Sequence, residues 1–132
     1  MLDNYYLAKS EKRVPWDDQV REDFLYIVFR DKYPVSPGHL LFVPKNTDLM
    51  SMSVTLAAAW NEGETMVSLG RCDGFNLGMN YGEAAGQTVC YPHIHVIPRY
   101  QGDVEDPVGG VRGVVPGQAN YKKSGYKNPT DK

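Results

Sequence analysis

Cysteine is scarce in this sequence, and so is an excess of charge of either sign. The chain has 132 residues and two cysteines, Cys72 and Cys90, which are too few and too far apart to suggest a disulfide framework or a zinc knuckle. A formal net charge of −2 gives no electrostatic reason to expect nucleic-acid or membrane-surface binding. Any anion that the protein binds must therefore be held by local groups.

Long hydrophobic runs are also missing. No apolar stretch approaches the roughly 20 residues that cross a membrane. Met1 to Tyr6 lack the basic region and apolar stretch of a secretory signal, so the expected compartment is the cytoplasm. Length and a hydrophobic content of 42% predict one globular domain over residues 1–132. It would carry an N-terminal extension of about residues 1–20 and a Gly/Pro-rich segment with a polar tail over about 101–132.

Short β-branched and aromatic segments predict a sheet. Three of them are predicted as strands: Phe24 to Arg30, His39 to Val43, and Phe75 to Tyr81. The histidine-containing segment that ends near Tyr100 is predicted as a fourth strand, and a short fifth one is a candidate near Trp16.

One long helix is predicted between the second and third strands, with Ser53 as its N-cap and Gly70 as its stop. Gly63 within it costs about 1 kcal/mol relative to alanine. Apolar residues at helical spacing are predicted to pack on the sheet: Leu56, Ala59, Trp60, Met66 and Val67. The predicted fold is α+β, an antiparallel sheet of about five strands with one main helix on one face.

Two of the three histidines stand two residues apart in the fourth predicted strand. Because side chains alternate along a strand, His93 and His95 are predicted to share one face while Ile94 enters the core. Asn80 and His39 are candidates for the same face.

This arrangement favours nucleophilic attack on phosphorus. A neutral histidine can attack through one ring nitrogen while the other donates a hydrogen bond that fixes the tautomer, and the Tyr91 carbonyl is a candidate acceptor. A second histidine could bind or protonate phosphate oxygens. The glycines of loop 82–88 allow close backbone approach, with Gln87 and Thr88 as added donors.

Other interpretations stay open on the residues alone. A lone His-x-His is often structural, since buried imidazoles are commonly only hydrogen-bonded. Cys90 with His93 and His95 has a spacing that could supply three zinc ligands, although a regular strand would turn Cys90 to the opposite face. Both cysteines are otherwise expected to be small buried apolar residues.

Several motifs in order make the chain resemble the histidine triad (HIT) family of nucleotide hydrolases and transferases. They extend from about Phe24 to Pro116 and comprise Asp31 to His39 followed by Val43-Pro44-Lys45, Gly74 to Thr88, His93 to Arg99, and Gly102-Asp103 with Gly109 to Arg112.

The resemblance implies a role for each matching position. His93 would be the nucleophile, His95 a phosphate contact, His39 a supporting histidine and Asp31 the group that binds the ribose hydroxyls. The remaining positions that it implies for the phosphate or the base are Asn80, Gly86, Gln87, Thr88 and Ile27.

The implied activity is that of a nucleotidyl hydrolase. It would cleave at the α-phosphate of a dinucleoside polyphosphate or a nucleoside phosphoramidate through a nucleotidyl-histidine. The implied partner is a purine nucleotide-type small molecule, and the implied assembly is a homodimer. No cofactor is required and no metal site is expected, although a divalent cation could accompany the substrate. Alternatives are a nucleotide-binding or sensing module with weak or no catalysis, and a nucleotidyl transferase or phosphorylase.

The sequence departs from the family pattern in three places. Tyr91 stands where the first histidine of the triad is expected, and it could supply a hydroxyl in place of the imidazole or simply pack. The N-terminal Cys-x-x-Cys motif of some members is missing. Asn46 and Thr47 replace a basic–histidine pair.

Overall fold

The computed structural model describes residues 3–124 and divides the chain into two compact units, Met1–Arg99 and Tyr100–Lys132. The prediction of a single domain over the whole chain stays a prediction. Among the described residues, the first unit holds both α-helices and all five strands. These are α1 Tyr5–Ser10, β1 Gln19–Glu22, β2 Tyr26–Arg30, β3 Leu40–Pro44, α2 Leu49–Ser68, β4 Gly74–Gly78 and β5 Ile94–Arg99.

The five strands form one antiparallel sheet in the order β1-β2-β3-β5-β4, with β1 and β4 at its edges. The predicted α+β class, five-stranded sheet and single main helix are confirmed. The first two long strands predicted from the sequence are neighbours, β2 and β3. The turn between them is held by Asp31 N–H donating to the His39 carbonyl at 3.2 Å, and His39 N–H to the Ser36 carbonyl at 3.2 Å.

The register of the sheet assigns residues to its two faces. Leu41 pairs with His95 and Phe42 with Ile94, and paired residues point to the same side. Phe42 and Ile94 therefore share a face, which α2 covers through contacts with β3, β4 and β5. Leu41 and His95 point to the opposite face.

That opposite face, which carries His95, is partly covered. A second apolar cluster packs on it, with Tyr5 and Ala8 of α1 at 3% and 0% exposure. Part of the predicted N-terminal extension is therefore a structural element that covers this face of the sheet. The buried members of the cluster are Tyr5, Ala8, Trp16, Ile27, Phe29, Leu41, Val43 and Tyr91.

The helix differs from its prediction in its start and in its buried face. It begins at Leu49, five residues earlier than predicted, because Asp48 is the cap and accepts from Ser51 N–H at 3.3 Å. The predicted end is confirmed, since the helix stops at Ser68 and Gly70 takes a positive φ. Mostly small residues face the sheet, Ser51, Thr55, Ala59, Gly63 and Met66, whereas Leu56, Trp60 and Val67 are exposed.

Strand ends also differ from the predictions. Residues 24 and 25 precede β2, β4 stops at Gly78 rather than Tyr81, and β5 begins only at Ile94. The loop before β5 is longer than expected, and Pro92, which lacks a ladder donor, falls within it. Cys72 is buried as predicted, but Cys90 lies in this loop and is exposed, so the prediction that it is buried was wrong.

The second unit contains two short 3₁₀ segments, Gly110–Val114 and Tyr121–Ser124. Within it, Asn120 donates from its side-chain amide to Asp106 at 2.8 Å. The predicted polar tail from Lys122 to Lys132 lies mostly outside the described residues. No helix within residues 3–124 is long and apolar enough to cross a membrane.

Gly63 provides a test of the packing of α2. A Cβ at this position would overlap the Phe75 ring. Helix propensity alone would make Gly63→Ala stabilising by about 1 kcal/mol. We expect the opposite sign, a loss of about 1–2 kcal/mol in the free energy of unfolding, because overpacking outweighs propensity. Urea unfolding measures it.

The matched control is Thr65→Ala, at an exposed position two residues along the same helix. It should leave the free energy of unfolding unchanged or slightly raised. A Gly63→Ala protein as stable as the wild type would contradict the close approach of α2 to Phe75.

Candidate active site

His93 lies immediately before β5, and its tautomer is fixed by the backbone. Its Nδ1 is 2.8 Å from the carbonyl oxygen of Tyr91. Because a carbonyl can only accept, Nδ1 must carry the proton. In the neutral imidazole the lone pair is then on Nε2, the nitrogen that remains free to attack.

His39 and His95 are oriented by a second chain of hydrogen bonds. The Val35 N–H donates to His39 Nδ1 at 3.1 Å, so that nitrogen is unprotonated and the proton of a neutral His39 is on Nε2. This Nε2–H is 2.9 Å from His95 Nδ1 and donates to it. A neutral His95 therefore keeps its own proton on Nε2. Two backbone groups thus fix the tautomers of all three histidines.

The imidazole rings are close together and mostly removed from water. The ring centroid of His95 is 5.2 Å from those of both His39 and His93. Burial, with His93 and His39 adding to it, lowers the pKa of His95 to about 4, and the negative charge of Asp31 opposes the shift. Burial also lowers the pKa of His39, again against Asp31. At neutral pH both are therefore uncharged.

Asp31, His39 and His95 form a group whose ligand atoms lie within 4.8 Å of one another. Two imidazoles and a carboxylate are a donor set that transition metals accept. However, a metal-bound histidine normally donates its other ring N–H to an acceptor. Here His39 Nδ1 faces the N–H of Val35. A metal bound to His39 Nε2 would leave the ring proton on Nδ1. Two donors, Nδ1–H and the Val35 N–H, would then face each other, so the group fits a metal poorly.

The side chain of Tyr91 points away from the histidines and into the apolar cluster. It is 1% exposed, and its hydroxyl donates to the Pro44 carbonyl at 2.6 Å. Burial raises the pKa of this phenol above its ordinary value. The hydroxyl is therefore not positioned to replace an imidazole nitrogen. Instead, the side chain anchors the backbone whose carbonyl holds His93.

Two departures from the family pattern, Tyr91 and the Asn46–Thr47 pair, both contact the N-terminal segment. Asn4 forms a β-bridge with Asn46, and the Thr47 hydroxyl donates to the Asp3 carbonyl at 3.1 Å. The ring of Tyr5 meets that of Tyr91 edge to face, with centroids 6.2 Å apart. The N-terminal segment is thus tied to the end of β3 by hydrogen bonds and aromatic packing.

The loop between β4 and β5 is held in shape by Gln87. Its Oε1 accepts from Gly82 N–H at 2.7 Å, and its Nε2 donates to the Val89 and Cys90 carbonyls at 3.1 and 2.9 Å. In this conformation both amide hydrogens of Gln87 are used by the loop itself. Gly86 takes a φ of +89°, which favours glycine, and a Cβ there would meet open space.

The strand register relates Asn80 to the histidines. Gly78 of β4 pairs with His95 of β5, and the same antiparallel register continued by two residues places Asn80 opposite His93. Thr88 is exposed on the loop. Asp31 approaches His39, with Oδ2 3.5 Å from Nε2.

Ile27, in contrast, is 1% exposed within the apolar cluster, so a base could touch it only if that cluster opened.

Trp16 is the neighbour of the histidines that the sequence did not indicate. Its ring centroid is 4.8 Å from that of His93, with the planes at 55°. It precedes β1 and lies far from His93 in sequence, and no spacing pattern links them. The sequence feature that could have drawn attention to this position is a single tryptophan directly after Pro15.

Comparison with known proteins gives a family match. The family model described as the HIT domain matches residues 13–102. An AP-4-A phosphorylase of Mycobacterium tuberculosis is 36% identical in an alignment of 80 positions that covers 54% of this chain and 40% of that protein. A bis(5′-adenosyl)-triphosphatase of Saccharomyces cerevisiae is 33% identical in an alignment of 76 positions that covers 52% of this chain and 37% of that protein. The chain thus spans less than half of each curated enzyme.

Solved structures share the fold as well. A Zn-bound histidine triad family protein from Mycobacterium smegmatis superposes with a TM-score of 0.62 at 28% sequence identity. The match covers 74% of this chain and 76% of that one.

The low pKa of His95 generates a prediction about how stability depends on pH. Its pKa is about 4 in the folded protein and about 6.5 in an unfolded chain. Between these values the unfolded state binds the extra proton. The contribution of neutral His95 to the free energy of unfolding is therefore complete above about pH 6.5 and is lost as the pH falls towards 4. The lowered pKa of His39 acts in the same direction.

Urea unfolding between pH 4 and 7 measures this effect. We expect the free energy of unfolding to fall with decreasing pH at up to about 1.4 kcal/mol per unit for one proton. In a His95→Asn variant the free energy of unfolding should fall less steeply with decreasing pH, because up to one proton fewer is taken up on unfolding. An identical slope in that variant would show that His95 is not held neutral.

Proposed function

The chain belongs to the HIT domain family, and from this premise we propose that it is a nucleotidyl hydrolase. The reaction is cleavage at the α-phosphate of a dinucleoside polyphosphate or nucleoside phosphoramidate. The single observation that carries the proposal is the hydrogen bond from His93 Nδ1 to the Tyr91 carbonyl, which leaves a lone pair on Nε2.

The chemistry proceeds by two displacements. In the first, the Nε2 lone pair of His93 forms a bond to the α-phosphorus, and the leaving group departs with the electrons of its own bond. In the second, water attacks the same phosphorus, its proton passes to solvent, and the N–P electron pair returns to Nε2. The product is a nucleoside monophosphate, and His93 is regenerated.

His95 acts as a hydrogen-bond donor in this scheme. Its neutral form presents Nε2–H, and the low pKa of about 4 keeps that form populated at physiological pH. Such a donor stabilises charge that develops on phosphate oxygens. His39 supports it by donating to its Nδ1, and the Val35 N–H holds His39 in that tautomer. Asp31 lies beside this pair and remains the proposed ribose-binding residue.

The remaining nucleotide contacts are proposed on the loop after β4. Asn80, Gly86 and Thr88 would approach the phosphates, with Gln87 shaping the loop around them. A purine nucleotide-type small molecule is the proposed partner, and the cytoplasm remains the predicted compartment.

A homodimer is the proposed assembly. Within residues 3–124, β4 is an edge strand that pairs only with β5, and α2 exposes Leu56, Trp60 and Val67 on its outer surface. Exposed strand edges and apolar side chains of this kind are commonly covered by a partner. Sedimentation equilibrium gives the particle mass that tests it.

A phosphorylase is the second candidate, favoured by the name of the mycobacterial relative. It differs only in the acceptor, since transfer of the nucleotidyl group to inorganic phosphate yields a nucleoside diphosphate. Incubation with substrate in phosphate buffer distinguishes the two by the product. A sensing module would bind nucleotide and form no covalent adduct on rapid quench.

Replacing His93 tests the proposal. His93→Ala removes the nucleophile, and we expect turnover of a dinucleoside polyphosphate to fall about 10³-fold or more. The measurement is nucleoside monophosphate release, with AMP binding by equilibrium dialysis as the control for an intact site. A His93→Ala protein with full turnover would contradict the assignment.

The Tyr91→Phe variant distinguishes the role of the Tyr91 hydroxyl from that of its carbonyl, because it removes only the hydroxyl. Loss of the hydroxyl leaves the buried Pro44 carbonyl unpaired, so the free energy of unfolding should fall by about 1–3 kcal/mol. Turnover should change only a few-fold, because the carbonyl that orients His93 remains. Tyr26→Phe, which removes an exposed hydroxyl bond to Asp23, is the control and should cost less stability.

A loss of turnover near 100-fold in Tyr91→Phe, the scale of an acid–base contribution, would instead place the hydroxyl in the reaction.

A further inference from the structure

Trp16 packs beside the ring of His93 from the segment that precedes β1. The centroids are 4.8 Å apart, and Trp16 is 8% exposed. Phe29 holds the indole from the sheet, with centroids 6.1 Å apart. The indole is therefore a fixed neighbour of His93, with little freedom to move away.

The chemistry of His93 gives this contact a consequence. When Nε2 bonds to phosphorus while Nδ1 keeps the proton it donates to Tyr91, the ring acquires a positive charge. The acidic partner of the histidine cluster, Asp31, lies against His39, with Oδ2 3.5 Å from Nε2. An aromatic ring within about 6 Å attracts a cation, and tryptophan does so best.

We propose that Trp16 is a positioning residue that holds His93 and stabilises its positively charged nucleotidyl form through its indole ring. This inference rests on the proposed function, since it concerns the intermediate of that reaction. A purely structural Trp16 would affect stability but would not respond to the charge on His93.

Fluorescence tests this without altering Trp16. The chain has two tryptophans, and the other, Trp60, is half exposed on α2 beside Phe75. In a Trp60→Phe protein all indole emission comes from Trp16. We expect mixing with the p-nitrophenyl ester of AMP to quench this emission at the rate of the p-nitrophenolate burst, because an imidazolium quenches indole more strongly than a neutral imidazole does. Trp60→Phe/His93→Ala should show no such phase.

A kinetic series provides the second test. Trp16→Leu should slow the burst about tenfold, which lies within the range of stabilisation that a cation–π contact provides, and it should change KM little. Trp16→Phe should recover part of the rate. Phe42→Leu removes a buried ring on the opposite face of the sheet and should leave the burst rate near that of the wild type.

The outcomes separate the two proposals. A wild-type protein with no burst and no acid-labile adduct would refute the nucleotidyl hydrolase itself. A wild-type burst without any change in Trp16 emission, or an unaltered burst rate in folded Trp16→Leu, would refute the role of Trp16 alone.

Discussion

One hydrogen bond from a side chain to the backbone determines which atom of this site can react. The Tyr91 carbonyl takes the proton of His93 Nδ1 and so leaves the lone pair on Nε2. A second backbone group, the Val35 N–H, sets His39 and through it His95 in the opposite tautomer, with Nε2 protonated. The site therefore contains one imidazole with a free lone pair on Nε2 and another that presents Nε2–H, and two backbone groups account for the difference. Burial lowers the pKa values of His39 and His95, so both rings stay neutral and keep this pattern at neutral pH.

The rest of the first unit keeps that carbonyl in place. Tyr91 is buried, its hydroxyl is bound to the end of β3, and its ring meets Tyr5 of α1. The N-terminal segment is bonded in turn to the residues after β3, and it also brings Trp16 to His93. Replacing the first triad histidine by tyrosine thus leaves the orienting backbone intact and converts its side chain into an anchor. Departure from the family sequence need not mean departure from the family chemistry.

Periodicity and composition predicted what depends on local rules. Alternation along β5 correctly placed Ile94 and Val96 in the core, opposite His95, and Gly70 correctly ended α2. The buried face of α2 was missed because close approach to the sheet selects small residues such as Ala59 and Gly63, which carry little hydrophobic signal. Trp16 and Tyr5 were missed because their partners are distant in the chain. The use of Gln87 within its own loop, and the burial of Ile27, likewise depend on tertiary contacts.

The tautomers of the three histidines are the most direct measure of this account. Long-range ¹H–¹⁵N correlation spectra at pH 7 report which ring nitrogen carries the proton, and three histidines in 132 residues can be assigned by single replacements. The account predicts a protonated Nδ1 on His93 and a protonated Nε2 on both His39 and His95. A proton on Nε2 of neutral His93, or on Nδ1 of His39, would contradict it.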